Sequence, residues 1–129
     1  MKNIFTIGDT KGYRKIVGTE DLVIFPGGLL HSVYSTFAMG RDFEWSSRLF
    51  FNDLMDTDEE GVGTMLQIDH KGPAFLGEEV VITATIDKLE GMELTCSIEA
   101  RVGDRLIAIG KTGQKMLKKD RLAAIFRKP

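Results

Sequence analysis

The spacing of hydrophobic residues changes near residue 63, and this change divides the chain into a helical part and a strand-rich part. Between residues 36 and 55, large apolar residues recur on one stripe of an α-helix. These residues are Met39, Phe43, Phe50 and Leu54. Ser35 or Thr36 can cap the start of the helix, because a hydroxyl oxygen there accepts from an unpaired backbone N–H. Residues 56–61 are mostly acidic and end in glycine, so we predict a solvated loop after the helix.

From residue 64 onward, apolar and polar residues alternate with the period of two that is typical of β-strands. The predicted strands cover residues 64–70, 80–88, 94–100 and 106–116. Turns are predicted at Glu90-Gly91 and at Gly103-Asp104, where a glycine tolerates a positive φ angle. Gly110 and Gly113 predict a bulge or a close backbone approach within the last strand.

The region before the helix has a weaker pattern. Residues 3–7 alternate and predict a short strand, whereas residues 11–34 are predicted to be irregular because turn formers such as Pro26-Gly27-Gly28 interrupt them. One long helix followed by an antiparallel meander indicates a single α+β domain over residues 1–129.

Composition indicates an ordinary globular protein. Of the 129 residues, 43% are hydrophobic and 28% are charged, which argues against intrinsic disorder. With a net charge of -2, the chain lacks the excess of basic residues that is typical of nucleic-acid-binding proteins. No stretch reaches the roughly 18 consecutive apolar residues of a membrane span. Residues 1–9 become polar too early for a signal peptide. We therefore expect a cytoplasmic protein without a membrane or nucleic-acid partner.

Cysteine and histidine are too few to build a metal cluster. Cys96 is the one cysteine, which excludes an internal disulfide. The two histidines, His31 and His70, lie far apart in the sequence, so we predict no metal site. His31 is expected in a loop or at a pocket rim.

Three residues are candidates for chemistry, and each also has a plainer structural interpretation. His70 ends a predicted strand, where it can meet a ligand or bond to a carbonyl in the core. Glu44 lies in the middle of the helix, four residues before Arg48, which is the favourable spacing for a solvated ion pair. Thr36 can cap the helix, or its hydroxyl and the neighbouring unpaired N–H groups can hold a developing oxyanion.

The combined spacing of these residues resembles the hotdog-fold acyl-CoA thioesterase superfamily, and most closely the subgroup typified by the fluoroacetyl-CoA-specific thioesterase. That subgroup has a threonine followed eight residues later by a glutamate, often Glu-Trp. A Gly-Thr pair, a histidine after five variable residues and a further glycine follow. The matching residues here are Thr36, Glu44-Trp45, Gly63-Thr64, His70 and Gly77.

The resemblance implies a hotdog fold, in which a five- or six-stranded antiparallel sheet wraps a long central helix. It also implies a homodimer or a tetramer, with the acyl-CoA substrate lying across the dimer interface and no separate cofactor. The catalytic residues would be Thr36, Glu44 and His70. The substrate-binding residues would be Gly63, Thr64, Phe37 and Gly77.

The implied function is hydrolysis of an acyl-CoA, or a related acyl thioester, to a free acid and CoA. Glu44 would act as a general base on water or attack the thioester directly, and His70 would assist proton transfer to the leaving thiolate. The chain departs from the family pattern at Phe37, where a small residue or proline is usual, and at Thr112-x-Gln114, where His-x-Arg is usual. A non-catalytic hotdog module that binds acyl-CoA or a hydrophobic small molecule is therefore the alternative. Phe25-Pro26-Gly27-Gly28 looks like a lid but does not align cleanly with that of the fluoroacetyl enzyme.

Overall fold

The computed structural model describes residues 1–129 and shows one long helix packed against a five-stranded antiparallel sheet. In chain order, the elements are β1 (Thr10–Ile16), β2 (Leu22–Phe25), β3 (Gly28–Tyr34), α1 (Thr36–Leu54), β4 (Glu59–His70), β5 (Glu79–Glu90), β6 (Glu93–Val102), β7 (Arg105–Lys118) and α2 (Lys119–Ile125). Strands β2 and β3 form a separate two-stranded hairpin. The α+β architecture predicted from the sequence is confirmed. Neither helix has the length and hydrophobicity needed to span a membrane.

The strand order in the five-stranded sheet is β1-β5-β6-β7-β4. Strands β5, β6 and β7 form an antiparallel meander, as predicted. The prediction that β4 belongs to the same meander is wrong, because β4 pairs with β7 at the far edge of the sheet and residues 71–78 then connect it to β5. This topology places β4 alongside α1.

Helix α1 is held to the sheet by the apolar stripe that the sequence predicts. All four residues of the stripe are fully buried, namely Met39, Phe43, Phe50 and Leu54. Ser35 is the N-cap, and its Oγ accepts from the Ala38 amide at 3.0 Å. The Thr36 hydroxyl is therefore left for another partner. Gly40 lets β4 approach the helix closely, since a Cβ there would lie 3.1 Å from Leu66 Cδ2.

The main core lies between α1 and the inner face of the sheet. Alternate residues of β5 and β6 point into it, as the two-residue period predicts. They are Val80, Ile82, Ala84, Ile86, Leu94, Cys96, Ile98 and Ala100. The residues between them, such as Thr83, Thr85 and Ser97, face away from the helix and are partly exposed.

The glycines of β7 mark close approaches, as predicted. A Cβ on Gly110 would lie 2.1 Å from the carbonyl oxygen of Gln67, so only glycine fits between β4 and β7 there. Gly113 lies beside a register shift of β4 at Thr64, where one extra residue bulges out of the pairing.

Two predictions for the N-terminal region are wrong. Residues 3–7 form no strand, and residues 11–34, predicted to be irregular, contain most of β1 and the whole hairpin. Strand β1 gives no apolar alternation because polar side chains fill its inward-facing positions. These belong to Lys11, Tyr13 and Lys15. The two lysines bury part of their stems, and their ammonium groups bind Asp53 and Asp21 at 2.7 and 3.0 Å.

The prediction of a solvated loop at residues 56–61 is also partly wrong, since β4 already begins at Glu59. The Glu59 side chain is buried, and its Oε1 accepts from the Asp56 amide at 2.9 Å. Acidic segments are usually exposed, but in this segment the Glu59 carboxylate is buried and closes the turn after α1.

Candidate active site

Two of the predicted catalytic residues are in direct contact. Thr36 Oγ1 and His70 Nδ1 lie 2.9 Å apart. Thr36 opens α1 and His70 ends β4, so the contact depends on β4 running beside the start of the helix. His70 is half-buried, and Nδ1 accepts the hydroxyl proton in one neutral tautomer and donates to the hydroxyl in the other. The pair can therefore orient the hydroxyl and relay a proton.

The ion pair between Glu44 and Arg48, which their spacing favours, does not form. Arg48 instead binds the Glu60 carboxylate and the carbonyl oxygen of Gly61. The Glu44 side chain is exposed and lies against the backbone of β4, where a Cβ on Gly63 would lie 2.8 Å from Glu44 Oε1. The glycine at position 63 makes room for the Glu44 carboxylate.

Glu44 and Thr36 line the same groove between α1 and β4. Its volume is about 420 Å³, and we call it the Glu44 groove. Its lining includes Thr36, Phe37, Arg41, Glu44, Leu66 and Ile68. An adjoining cavity of about 260 Å³ continues from Glu44 to Gly63 and Gln114. Glu44 makes no hydrogen bond with Thr36 or His70 and lies about two helical turns along α1 from Thr36, so only two of the three predicted catalytic residues are in contact.

A larger groove meets the Glu44 groove at Thr36 and Phe37. It has a volume of about 680 Å³ and lies between the β2–β3 hairpin and the start of α1, so we call it the hairpin groove. Phe37 is 90% exposed and stands between the two grooves. His70 lines the hairpin groove, as does His31, which lies in β3 at the pocket rim that the sequence suggests.

Two of the predicted substrate-binding residues lie apart from both grooves. Thr64 is exposed at the bulge of β4. Gly77 belongs to the 71–78 connection, where its φ of 84° needs a glycine and its amide donates to the Val17 carbonyl at 2.8 Å. The structure accounts for Gly77 as a turn residue, and a role in substrate binding stays a prediction for both residues.

Residues 17–120 match the protein family described as the fluoroacetyl-CoA-specific thioesterase, FlK. The chain belongs to this thioesterase family. The match extends well beyond the spaced motif and takes in the hairpin, α1 and the whole of β4 to β7. It confirms the subgroup that the sequence resembles. No curated protein sequence is similar enough to this chain to count as a match.

Three solved structures share the hotdog fold of this chain over nearly the whole length of the chain. A Thermus thermophilus protein described as a thioesterase superfamily member is 29% identical with a TM-score of 0.92, over 98% of this chain and 93% of that chain. The fluoroacetyl-CoA thioesterase FlK is 19% identical with a TM-score of 0.89, over 98% and 100%. A hot-dog-like protein from Thermanaerovibrio acidaminovorans is 22% identical with a TM-score of 0.84, over 97% and 96%.

Gln114 is a residue of the site that the sequence marks only as a departure from the thioesterase family pattern. Its Nε2 donates to the backbone carbonyl of Glu44 and to Ser47 Oγ, each at 3.0 Å. Gln114 also pairs in register with Gly63. Of these two paired positions, Gln114 therefore binds the Glu44 backbone and Gly63 leaves room for the Glu44 carboxylate.

A buried charged network behind the site was not predicted. The Asp21 carboxylate, 0% exposed, binds Lys15 at 3.0 Å and Arg41 at 3.1 Å. Burial raises the pKa of Asp21, but a backbone N–H and these two cations outweigh that effect, so the pKa lies below its usual 3.8. Tyr34 donates to the buried Asp42 at 2.5 Å, and burial, followed by this hydrogen bond, raises the pKa of Tyr34 far above its ordinary value. The network ties the turn before the hairpin to α1.

Proposed function

We propose that this protein hydrolyses acyl-CoA thioesters to a free acid and CoA, with Thr36, Glu44 and His70 as its catalytic residues. The contact between Thr36 and His70, at the point where the two grooves meet, is the observation that carries the proposal. Membership of the thioesterase family supports the reaction class. The reaction consumes only water besides the thioester, so the proposal includes no cofactor.

The chemistry begins at the Glu44 carboxylate. As a general base, Glu44 takes a proton from water while the water oxygen attacks the thioester carbonyl carbon. As a nucleophile, it attacks that carbon itself and forms an anhydride, which water then opens. In both routes the C–S bond breaks and His70 passes a proton to the departing thiolate. The proton that the attacking water loses then replaces the one that His70 gave up. No cation pairs with Glu44, so its negative charge is available for either role.

The start of α1 is suited to hold the carbonyl oxygen as it gains negative charge. Ser35 caps the amide of Ala38, which leaves the Thr36 and Phe37 amides as the first unpaired donors of the helix. The Thr36 hydroxyl lies beside them. Donors fixed in place before the reaction stabilise a developing oxyanion more than mobile water does.

The quaternary structure that we propose is a homodimer formed along β4. This strand is one edge of the five-stranded sheet, and Met65 and Leu66 are exposed on it. An unpaired apolar edge favours pairing with a second copy of the strand. Pairing of two such dimers into a tetramer is the alternative, and light scattering distinguishes the two. The single reduced cysteine fits the proposed cytoplasmic location.

The experiment that tests the function follows free thiol released from a panel of acyl-CoAs. We expect turnover by the native protein, and a loss of at least tenfold in kcat for Glu44→Gln and for His70→Ala, since general acid–base groups contribute roughly 10²–10⁴-fold. Asp53→Asn is the matched control, because Asp53 is also an exposed carboxylate of α1 but lies outside both grooves.

The outcomes separate the hydrolase from the binding module. Tight binding of acyl-CoA without turnover, unchanged by Glu44→Gln, would show a non-catalytic hotdog module. Full activity in His70→Ala would remove the Thr36–His70 pair from the mechanism. A single turnover in ¹⁸O-labelled water tests for direct attack, because the label enters the Glu44 carboxylate only when water opens an anhydride at the Glu44 carbonyl carbon.

A further inference from the structure

The hairpin groove differs in chemistry from the Glu44 groove. Its wall is mainly apolar, with side chains from both hairpin strands and the helix start, such as Val23, Phe25, Leu30, Val33 and Phe37. No lysine or arginine lines it, and Glu20 is its one carboxylate. The Glu44 groove and its adjoining cavity contain two guanidinium groups instead, those of Arg41 and Arg48.

The two grooves share Thr36 and Phe37, and this shared wall orients a bound thioester. A thioester that lies along this shared wall has the hairpin groove at one end and the Glu44 groove at the other. The CoA part of the substrate carries the phosphate groups, and these are compatible with the Glu44 groove, where the guanidinium groups lie. The acyl group then extends into the apolar hairpin groove.

The size of the hairpin groove is well above what a two-carbon acyl group fills. A volume of about 680 Å³ lies within the range of about 300–1,000 Å³ that is typical of pockets for larger small molecules. Phe25 and Leu30 are 61% and 59% exposed, so a long acyl chain would cover apolar surface that a short one leaves in water.

We infer that the substrates of this protein are thioesters of uncharged, apolar acyl groups of medium chain length, bound in the hairpin groove. The inference rests on the proposed function and narrows its substrate class. Each methylene group buried on binding strengthens binding roughly fourfold, so affinity should rise with chain length. A carboxylate on the acyl group would meet the Glu20 carboxylate and neither a lysine nor an arginine.

The test compares octanoyl-CoA, acetyl-CoA and succinyl-CoA as substrates. We expect kcat/KM to be roughly thirtyfold or more higher for octanoyl-CoA than for either short acyl-CoA. Leu30→Glu should lower the ratio of octanoyl to acetyl activity at least tenfold. Leu29→Glu is the matched control, because Leu29 is the adjacent residue of β3, is 58% exposed and does not line the groove, so the ratio should not change.

A binding measurement keeps this inference separate from the question of catalysis. The non-hydrolysable thioethers S-octyl-CoA and S-ethyl-CoA are titrated by calorimetry, and the octyl compound should bind at least tenfold more tightly. Equal affinities would overturn the inference even in an active enzyme. If no acyl-CoA is hydrolysed, the proposed function fails, but tighter binding of the octyl compound still supports the ligand class.

A second copy of the chain is the competing occupant of the hairpin groove. In that case Leu30→Glu would dissociate the oligomer in light scattering, while the octanoyl to acetyl ratio would stay the same. That pair of results would assign the groove to an interface and overturn the inference.

Discussion

The Gln114 side chain donates from Nε2 to the backbone carbonyl of Glu44 at 3.0 Å. This contact determines which way the amide group points, since the Glu44 carbonyl accepts only and must face the nitrogen. Ser47 Oγ receives the second Nε2 proton and itself donates to the same carbonyl at 3.1 Å. A buried side chain of β7 thus holds the backbone of α1 at the proposed catalytic glutamate.

Replacing Gln114 by methionine should impair catalysis more than binding. The change keeps the side-chain length but removes both donors, so the Glu44 backbone loses its anchor to the sheet. We expect kcat to fall roughly tenfold with KM within about twofold, because small misplacements of a reacting group are costly. Steady-state kinetics with the best acyl-CoA substrate measure both constants.

The control for this prediction is Thr112→Val in the same strand. Thr112 is buried and its hydroxyl bonds to no residue of either groove, so the loss of this hydroxyl should change neither kcat nor KM. Gln114→Glu adds a pH test, because only the protonated acid can donate to the Glu44 carbonyl, so the activity of this variant relative to the native protein should recover as the pH falls. A Gln114→Met protein with native kcat would rule out the positioning role.

Gly63→Ala should displace the Glu44 carboxylate. The new Cβ would lie 2.8 Å from Glu44 Oε1, closer than such atoms approach, so the carboxylate must turn away from β4. We expect kcat/KM to fall by roughly tenfold or more with little loss of stability, since the clash falls on a flexible, exposed side chain. Gly12→Ala in β1 is the control, because no atom lies within 4 Å of its Cβ position. Equal activity of the two alanine variants would contradict this account.

The parts of the fold that could be predicted are those where burial and residue type agree. The α1 stripe contains Met39 and Phe43, both apolar and both fully buried, so its period is visible in the sequence. Strand β1 could not be predicted because Lys11 and Lys15 occupy its inward positions. Alternation also shows which face a strand residue takes but not which strand lies beside it, and the pairing of β4 with β7 was missed for that reason.

The candidate active site could also be predicted only in part. The spacing of Thr36, Glu44 and His70 carries a family resemblance, and the structure places two of these residues in contact. Gln114 gives no such signal, because one glutamine in a strand has no periodic pattern and its partners are 67 and 70 residues away. Asp21 was missed because its carboxylate becomes buried only when cations from β1 and α1 surround it.

Gly110→Ala should destabilise the protein strongly. The Cβ would lie 2.1 Å from the Gln67 carbonyl oxygen and 2.9 Å from Phe43 Cε2, so β4 and β7 would have to separate. Because backbone cannot move aside as a side chain does, we expect a loss of roughly 3 kcal/mol or more in the free energy of unfolding. Urea denaturation measures the change, with Gly12→Ala again as the control. A native urea midpoint would show that the two strands adapt at this position.

Cys96 should be unreactive in the folded protein. Burial, followed by the nearby charge of Asp87, raises the pKa of the Cys96 thiol to about 12, and the thiolate is the reactive form. Ellman's reagent at pH 8 should therefore detect no thiol in the native protein and one thiol per chain in guanidinium chloride. The assay of released CoA would then have no background from the protein. Labelling at the rate of a free thiol would show that the core around β6 opens.

The buried carboxylate of Asp21 should make stability depend on pH in the acidic range. Its pKa is lower in the folded protein than the usual 3.8, so the unfolded chain binds the proton more tightly. The stabilisation by Asp21 is therefore fully present above about pH 4 and is lost as the pH falls through the lower pKa of the folded state. The lowered pKa of Asp21 therefore sets the pH range in which this stabilisation is lost.

Asp21→Asn tests that dependence, because the amide keeps the shape and can still accept from the Gly18 amide but carries no charge for Lys15 and Arg41. We expect a loss of roughly 2 kcal/mol at pH 7, less than for an isolated buried pair because Asp42 lies near both cations. The difference from the native protein should shrink below about pH 4, where the native carboxylate also begins to lose its charge. Denaturation curves at several pH values measure it, with the exposed Asp104→Asn as control. A difference that stays constant from pH 7 to pH 3 would mean that Asp21 stabilises the fold through its shape and hydrogen bonds and not through its charge.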